Sequence, residues 1–288
     1  LKLYNYFKKG NKKKFLIITN DYGAPYLDYI IRDFPNFYIN AGICEQNIIT
    51  VACGFAKQGF RPIVYSISSF IIYRAFEQIK LDMLVHDLNV CLLTVGTGYA
   101  YDLDGPTHHT TEDLSMLNGF DNLQISCPFD KHSVSESFKI LGKNNGPKWI
   151  RLDRGNHKIE NFKFNFKNGN YLKEVKNKKL LIVTYGTFIH EILKINKNLL
   201  KNISLAVFFN LKPLNLTHVS KIIKNYETIV LFEDQNVDTG FGNFFLSKFY
   251  EKLKKKKFLK FGLIPNKIFN YNKRDNLLKL HKIDYRHI

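Results

Sequence analysis

Residues 40–47 read Asn40-Ala-Gly-Ile-Cys-Glu-Gln-Asn47 and join a strand-like segment to a long apolar helix. Phe37 to Ile39 has the composition of a short strand, whereas Glu45 to Lys57 has the length and periodicity of a helix that tolerates Gly54. The carboxyl group of Glu45 therefore falls at a strand-to-helix junction. A carboxylate at that place can stabilise the helix through its dipole, or it can face a ligand.

Short apolar runs alternate with helical segments along the first half of the chain. Val90–Thr94 is apolar almost throughout, which is typical of a strand buried on both faces of a sheet. This alternation predicts an α/β fold with a mostly parallel sheet covered by helices on both faces. Besides those already named, strands are predicted at Phe15–Ile18, Arg61–Tyr65, Gln124–Ser126 and Trp149–Arg151, and helices at Tyr73–Val85, after Thr110 and from Lys131.

A polar stretch rich in Lys and Asn, His157 to Lys178, interrupts this alternation, and a second α/β pattern follows it. We therefore predict two domains, at residues 1–165 and, smaller, at residues 175–288. Strands are predicted in the second domain at Leu180–Tyr185, Ser204–Phe209 and Thr228–Glu233, with helices from Ile189, near His218–Tyr226 and from Gly240-Phe-Gly242.

The composition argues against a membrane-spanning, secreted or nucleic-acid-binding protein. The chain has 288 residues, 45% of them hydrophobic, and a formal net charge of +18. It lacks the run of about 18 apolar residues that a membrane span needs, and its start lacks the pattern of a secretory signal. Much of the positive charge lies in lysine runs without an RNA-binding or zinc-finger signature, so we expect a solvated surface rather than a nucleic-acid partner. Four cysteines without a CxxC pair favour a reducing, cytoplasmic location.

Two features downstream of Glu45 suit the same pocket. The first is an aromatic triplet, Phe70, Tyr73 and Phe76, and the second is the run Asp104-Gly-Pro-Thr-His-His109. Open α/β sheets bind ligands beyond the carboxyl ends of their strands, and Asp21 and both features follow predicted strands. A carboxyl group, an aromatic wall and a His-bearing loop are suited to a flat, polar heteroaromatic cofactor.

Each feature also has a plainer explanation. Aromatic residues at every third position are equally the pattern of a helix that faces the core. Adjacent histidines such as His108 and His109 cannot easily aim at one metal ion, so we predict no metal site on this chain. Glu112 and Asp113 are explained as acids in the first turn of a helix.

The three motifs together are more specific. Gly42-Ile-Cys-Glu-Gln-Asn47, Ser68-Ser-Phe-Ile-Ile-Tyr-Arg-Ala-Phe-Glu-Gln78 and Asp104-Gly-Pro-Thr-His-His-Thr-Thr-Glu-Asp113 resemble the transketolase family in order and spacing. The resemblance covers essentially the whole chain. It implies a domain that binds the pyrimidine of thiamine diphosphate, followed by the C-terminal domain of that family.

The resemblance implies roles for individual residues. Glu45 is expected to activate the cofactor through the pyrimidine, with Phe70, Tyr73 and Phe76 around that ring and Asp21 nearby. Asp104 and His108 match residues that bind the transferred two-carbon unit, where a His can pass protons near neutral pH. Arg154 matches an Arg that grips the sugar phosphate, for which a planar guanidinium is well suited.

Transketolases hold the diphosphate and its Mg²⁺ through a Gly-Asp-Gly motif on a preceding domain, and this sequence contains no Gly-Asp-Gly. The chain therefore resembles the C-terminal half of a split transketolase that transfers a two-carbon ketol unit between sugar phosphates. The resemblance implies an N-terminal partner subunit that holds Mg²⁺ and the diphosphate, and self-association into a heterotetramer.

Two departures from the family pattern and several alternatives stay open. Gly96 stands where the family has a further His, and residues 22–26 lack the Ser that contacts a phosphate. Related candidates are a 1-deoxyxylulose-5-phosphate synthase, whose loop reads His-Gln where this chain has His108-His109, and a 2-oxoacid dehydrogenase subunit, which lacks that loop. A non-catalytic binding subunit is the alternative from a different class.

Overall fold

Two sheets organise the computed structural model, which describes residues 4–5, 8, 14–21, 25–143, 146–155, 165–167, 170–176 and 179–288. The described residues between 14 and 155 build an N-terminal unit around the first sheet, and those between 165 and 288 build most of a C-terminal unit around the second. Both sheets are largely parallel and carry helices, so the predicted α/β fold with two units is confirmed. No helix among the described residues is long and apolar enough to cross a membrane.

The first sheet has seven strands in the order β11-β5-β6-β4-β3-β1-β2. All neighbours are parallel except β11, which runs antiparallel to β5 and comes from the C-terminal part of the chain. One strand of the second half thus completes the sheet of the first. The strands are β1 (Phe15–Thr19), β2 (Tyr38–Asn40), β3 (Arg61–Ile67), β4 (Cys91–Val95), β5 (Gln124–Ser126), β6 (Lys148–Leu152) and β11 (Asn210–Lys212).

The second sheet has six strands in the order β13-β12-β9-β10-β8-β7. The first four are parallel, and β8 and β7 are antiparallel additions at one edge. The strands are β7 (Asn165–Lys167), β8 (Asn170–Lys173), β9 (Leu180–Tyr185), β10 (Ser204–Phe208), β12 (Thr228–Asn236) and β13 (Lys257–Leu263). Part of the polar stretch at residues 157–178 lies outside the described residues, and the division into 1–165 and 175–288 stays a prediction.

Helices cover both sheets and bury their apolar faces against them. They are α1 (Asp28–Asp33), α2 (Glu45–Lys57), α3 (Ser68–Arg74), α4 (Phe76–Gln78), α5 (Asp113–Leu117), α6 (Lys131–Lys143), α7 (Ile189–Leu193), α8 (Lys197–Leu200), α9 (Leu216–Lys224), α10 (Phe241–Leu253) and α11 (Arg274–Leu280). Helix α2 has the predicted bounds, and its buried Ile48, Ile49 and Ala52 pack into the core under the first sheet.

The helix predicted at Tyr73–Val85 differs from the structure. Helix α3 begins earlier, directly after β3, where the buried Ser68 hydroxyl donates to Thr94 Oγ1 at 2.6 Å. The chain leaves α-helical geometry at Ala75, and residues Ile79–Leu84 form π-helical turns. Phe70 and Tyr73 therefore lie on one helix, and Phe76 begins the next.

A buried network of charges joins the two units. The Arg151 guanidinium donates to Asp113 at 2.6 and 3.0 Å and lies 3.9 Å from Asp234 at the end of β12. Arg274 donates to Asp153 at 2.8 Å and lies 3.8 Å from Asp234. Asp113 is fully buried in this network, so the interpretation of it as a simple first-turn acid was incomplete. An ion pair in the interior needs the fold around it, because an unpaired charge there is costly.

The start of α10 rests on a buried carboxylate from β12. Glu233 Oε2 accepts hydrogen bonds from the Phe241 amide at 2.8 Å and the Tyr185 hydroxyl at 3.1 Å, and Oε1 accepts from the Gly242 amide at 2.9 Å. A Cβ atom at Gly242 would lie 2.9 Å from Oε1, so the close approach needs glycine. Glu233 thus satisfies amides that the first turn of a helix leaves without partners.

We expect Glu233→Gln to lower the free energy of unfolding by about 2 kcal/mol, because an amide has one acceptor oxygen and leaves a buried N–H group unpaired. Chemical denaturation measures this change. Glu251→Gln, on the exposed side of the same helix, is the matched control and should change stability little. Equal stability of Glu233→Gln and the wild type would contradict this account of the helix start.

Candidate functional site

A tight loop places Glu45 at the first position of α2. Gly42 has φ +77°, its amide donates to Asn40 Oδ1 at 2.9 Å, and its carbonyl accepts from Asn20 Nδ2 at 3.2 Å. The left-handed backbone at Gly42 is readily available to glycine and lets the chain turn from β2 into the helix. Glu45 is 7% exposed, so its carboxyl group is held in a mostly dry position at the carboxyl edge of the first sheet.

The Glu45 carboxylate is paired with Arg74, a residue that sequence reasoning did not single out. Arg74 Nη1 donates to Glu45 Oε1 at 2.7 Å, and the guanidinium carbon lies 4.1 Å from the centre of the Phe70 ring. Glu45, Arg74 and Phe70 therefore form one cluster. Arg74 lies within the quoted motif at residues 68–78, but no local pattern assigns its partner, which is distant in sequence.

The other two aromatic residues make different contacts. The Tyr73 hydroxyl donates to Glu112 Oε2 at 2.9 Å, and burial raises the pKa of Tyr73. The Phe76 ring packs against the core, with its centre 6.1 Å from that of Phe120. Of the triplet, Phe70 is the ring in direct contact with the Glu45–Arg74 pair, and Tyr73 reaches the start of α5 instead.

The His-bearing loop meets this cluster at Phe70. The His108 ring lies edge-on to the Phe70 ring with centres 4.8 Å apart, and it also approaches Tyr101 at 5.7 Å. An antiparallel bridge between Gly98 and Thr110 closes the loop on itself. The second and third sequence motifs, at residues 68–78 and 104–113, are thus linked through one aromatic contact.

Arg154 lies next to the Tyr101 ring and close to Asp104. The Arg154 guanidinium carbon is 4.8 Å from the Tyr101 ring centre, and Arg154 Nη1 is 3.8 Å from Asp104 Oδ2. A Cβ atom at Gly96, which has φ +100°, would lie 2.4 Å from the Tyr101 ring. The Tyr101 ring therefore leaves no room for a side chain at position 96. Asp104, His108 and Arg154 surround Tyr101.

Asp21 lies near the loop before Glu45 rather than in this cluster. It is exposed at the end of β1, where Asn40 Nδ2 donates to Asp21 Oδ1 at 3.2 Å. Its amide donates to the Gly42 carbonyl at 3.2 Å. Residues 22–24, where the resemblance expects a phosphate-binding Ser, lie outside the described residues.

His108 and His109 point to different neighbours. His109 is buried, its ring lies edge-on to Tyr99 with centres 4.8 Å apart, and its Nε2 is 3.1 Å from the Asp102 carbonyl oxygen. Burial lowers the pKa of His109. The described part of the chain contains no group of three or more His, Cys, Asp or Glu residues arranged to hold a metal ion.

The C-terminal unit supports this loop through His281. The Tyr99 hydroxyl is 2.8 Å from His281 Nε2, and the Ile264 amide donates to His281 Nδ1 at 2.8 Å. An imidazole nitrogen that accepts a backbone hydrogen bond is unprotonated, so the folded state holds His281 neutral. Burial lowers the pKa of His281 to about 4.

These features define a two-unit α/β protein with a candidate ligand site at the carboxyl edge of its first sheet. Residues 9–159 match the family described as "Transketolase, pyrimidine binding domain", and residues 169–288 match "Transketolase, C-terminal domain". The chain belongs to the transketolase family, as its sequence motifs predict.

Curated relatives share about three tenths of their aligned residues with this chain. A 1-deoxy-D-xylulose-5-phosphate synthase of Oleidesulfovibrio alaskensis is 31% identical over 74% of this chain, which spans 34% of that protein. An apulose-4-phosphate transketolase subunit of Actinobacillus succinogenes is 29% identical over 74% of this chain and 70% of its own length. A putative transketolase C-terminal section of Methanocaldococcus jannaschii is 27% identical over 88% of this chain and 81% of that protein.

Solved structures share the fold. A structure described as "Split gene transketolase, inactive beta4 tetramer" superposes with a TM-score of 0.82 over 99% of this chain and 92% of its own, at 24% identity. Transketolase from Campylobacter jejuni gives a TM-score of 0.78 over 96% of this chain but 43% of its own, at 18% identity. The chain therefore corresponds in fold to nearly the whole of the first and to less than half of the second.

The neutral His281 predicts a loss of stability in acid. The unfolded chain takes up a proton near pH 6.5 that the folded state accepts only near pH 4, so stability falls as the pH falls between these values, by up to about 1.4 kcal/mol per pH unit. His281→Asn keeps an acceptor for the Ile264 amide and should flatten this fall. Denaturation between pH 4 and 7 tests it, with exposed His86→Asn as the control, and an unchanged slope in His281→Asn would count against the neutral imidazole.

Proposed function

We propose that this chain is the C-terminal subunit of a thiamine-diphosphate-dependent transketolase that transfers a two-carbon ketol unit between sugar phosphates. The observation that carries the proposal is the contact series from the buried Glu45 through Arg74 and Phe70 to His108. These contacts link Glu45, expected at the cofactor, to His108, expected at the substrate, and so support the proposal of one shared site. Asp104 and Arg154 extend this site towards the solvent.

The residues present fit the pyrimidine half of the cofactor. Arg74 contacts Oε1 of Glu45, and no other hydrogen bond reaches that carboxylate among the described residues, so Oε2 can serve a ring nitrogen. Phe70 offers an aromatic surface next to it, and stacking on one ring is worth about 0.5–1.5 kcal/mol beyond burial. Tyr73 and Phe76 would line the pocket behind Phe70, and Asp21 would lie at its rim.

When bound, thiamine diphosphate supplies the carbon that accepts the ketol unit. The residues of this chain bind, orient and move protons around that chemistry. Glu45 would hydrogen-bond the aminopyrimidine nitrogen and share its proton. His108 would exchange a proton with a hydroxyl group of the two-carbon unit, which Asp104 would orient. Arg154 would hold the phosphate of the sugar through its planar guanidinium.

The diphosphate end of the cofactor would be held by a partner. In the divided enzyme that we propose, an N-terminal subunit would carry the Gly-Asp-Gly motif and bind Mg²⁺ and the diphosphate. Three names support a divided enzyme: a relative named as one subunit of a transketolase, another called a C-terminal section, and a solved structure described as a split gene transketolase. That structure is described as an inactive beta4 tetramer, which supports self-association of this chain. We further propose that the chain forms a heterotetramer with the partner and that the enzyme is cytoplasmic.

A 1-deoxyxylulose-5-phosphate synthase activity is the second candidate, because such synthases are among the similar curated proteins. The run His108-His109 departs from the His-Gln of those enzymes, and the contacts of His109 with Tyr99 and Asp102 favour a structural role for it. A 2-oxoacid dehydrogenase subunit or a non-catalytic binding subunit is less consistent with the retained Glu45, Phe70 and His108.

The first test is thiamine diphosphate binding by calorimetry, with Mg²⁺, for this chain alone and mixed with the candidate N-terminal subunit. We expect tight binding in the mixture and weak or no binding by the chain alone. In the mixture, Glu45→Gln should reduce ketol transfer by about 100-fold or more, because the amide cannot take part in proton exchange. Glu77→Gln, an exposed acid on α4, is the control. Full activity of Glu45→Gln would refute this assignment.

If Arg154 binds the sugar phosphate, its replacement should raise KM for phosphorylated sugars alone. Arg154→Met should raise KM for D-fructose 6-phosphate by about 10- to 100-fold, the range for a lost hydrogen bond between charged groups. KM for unphosphorylated D-fructose should stay within about twofold, because that sugar has no phosphate for Arg154 to bind. Steady-state kinetics of the two-subunit enzyme measure both values. An equal rise for both sugars would show that Arg154 does not bind the phosphate.

A further inference from the structure

Arg274 contacts both segments that carry the proposed substrate-binding groups, although it belongs to the C-terminal unit. It is the first residue of α11, and its backbone and its side chain bind different carboxylates. The backbone amide donates to Asp102 Oδ2 at 2.7 Å, and Nη1 donates to Asp153 Oδ2 at 2.8 Å. Asp102 lies two residues before Asp104, and Asp153 directly precedes Arg154.

The contact with Asp102 organises the loop. Asp102 Oδ1 accepts the Leu103 amide at 2.8 Å, and its carbonyl oxygen accepts the Gly105 amide at 3.4 Å. The Tyr271 ring, three residues before Arg274, lies directly against Gly105, where a Cβ atom would be 1.9 Å from Tyr271 Cε1. The segment before α11 therefore packs on the turn that presents Asp104 and His108.

The contact with Asp153 organises the other segment. Asp153 Oδ1 accepts the Arg154 amide at 2.7 Å, and Oδ2 accepts from the Thr187 hydroxyl at 2.6 Å as well as from Arg274. The Asp153 carboxylate is 1% exposed, so its charge is compensated by protein groups rather than by water. Arg274 thus neutralises a negative charge directly behind the residue proposed to bind a phosphate.

The geometry explains why the residue is an Arg. Nη1 reaches Asp153 while Nη2 lies 3.8 Å from Asp234, so the guanidinium spans two carboxylates with its two terminal nitrogens. The ammonium group of a Lys is a single point charge and cannot hold both at once. Loss of this span should let the chain around Asp153 and Arg154 shift relative to the loop of Asp104.

We propose that Arg274 is a positioning residue for the sugar-phosphate end of the site, through which the C-terminal unit sets the separation between Arg154 and the Asp104–His108 loop. This inference rests on the proposed function. It assigns the C-terminal unit a role in substrate binding. The residues proposed to bind the cofactor, Glu45 and Phe70, belong to the N-terminal unit, so cofactor binding should not depend on Arg274.

The test is Arg274→Lys in the two-subunit enzyme, with D-fructose 6-phosphate and D-fructose as the probes. We expect KM for the phosphorylated sugar to rise about tenfold, with kcat, KM for fructose and the affinity for thiamine diphosphate each within about twofold. A defect in folding alone would lower kcat or change all these values together. Arg286→Lys, which makes the same exchange in a partly exposed ion pair with Asp284, is the matched control.

A second variant tests the proposal in case Arg274→Lys misfolds. Arg274→Gln combined with Asp153→Asn removes one charge of each sign, so the net charge of the buried network is unchanged. It should show the same selective rise in KM. An unchanged KM for fructose 6-phosphate in both variants, or an equal rise for both sugars, would overturn the proposal.

Hydrogen exchange of the chain alone separates this proposal from the proposed function. Arg274→Lys should speed exchange of the Arg154 amide by about tenfold, because its acceptor Asp153 loses its anchor. If the wild-type enzyme turns over neither sugar, the proposed function fails, and faster exchange would still support the coupling of Arg274 to Arg154. Unchanged exchange would overturn that coupling whatever the activity.

Discussion

A network of five charges at the junction of the two units, in which Asp113, Arg151 and Asp234 are buried, is the constraint on which the rest of the structure depends. Asp113, Asp153 and Asp234 alternate with Arg151 and Arg274, and the two units supply members of both signs. Burial raises the pKa of Asp234, and the neighbouring Arg151 and Arg274 oppose that rise. Removal of one partner from such a network costs about 3–5 kcal/mol, because the remaining charge stays in the interior. The two units are therefore held in one arrangement.

This junction lies directly under the candidate site. Gln235, next to Asp234, donates through Nε2 to the Thr110 carbonyl at 2.8 Å, at the end of the His-bearing loop. His281 holds Tyr99 in the same loop. The N-terminal unit supplies the residues proposed to act on cofactor and substrate, whereas the C-terminal unit fixes the loop that carries Asp104 and His108. A preorganised site requires supporting contacts of this kind, which hold its side chains in position.

Part of the large positive charge is also structural. Lys148 is buried, and its ammonium group donates to Asn89 Oδ1 at 2.6 Å and to the Gly146 carbonyl at 2.7 Å, while burial lowers its pKa to about 8. Lys212 donates to the carbonyls of Asn118 and Phe120, and Lys260 to that of Val237. These lysines stabilise ends of the chain's own elements, so their charge is not available to a nucleic acid. For the lysine runs, the expectation of a solvated surface stays a prediction.

The sequence by itself determined most of the parallel strands, the bounds of α2 and the family, because apolar periodicity and short motifs are local properties of the chain. It did not predict β7, β8, β11 or β13. The resemblance of these motifs to the family singled out Glu45, Phe70, Asp104, His108 and Arg154 as expected site residues. Only the tertiary structure decided which of them meet and what holds them. The pairing of Arg74 with Glu45 and of Arg274 with Asp153 joins residues 29 and 121 positions apart. A charged side chain has no periodic signature that names its partner, since ion pairing depends on distance in the folded state.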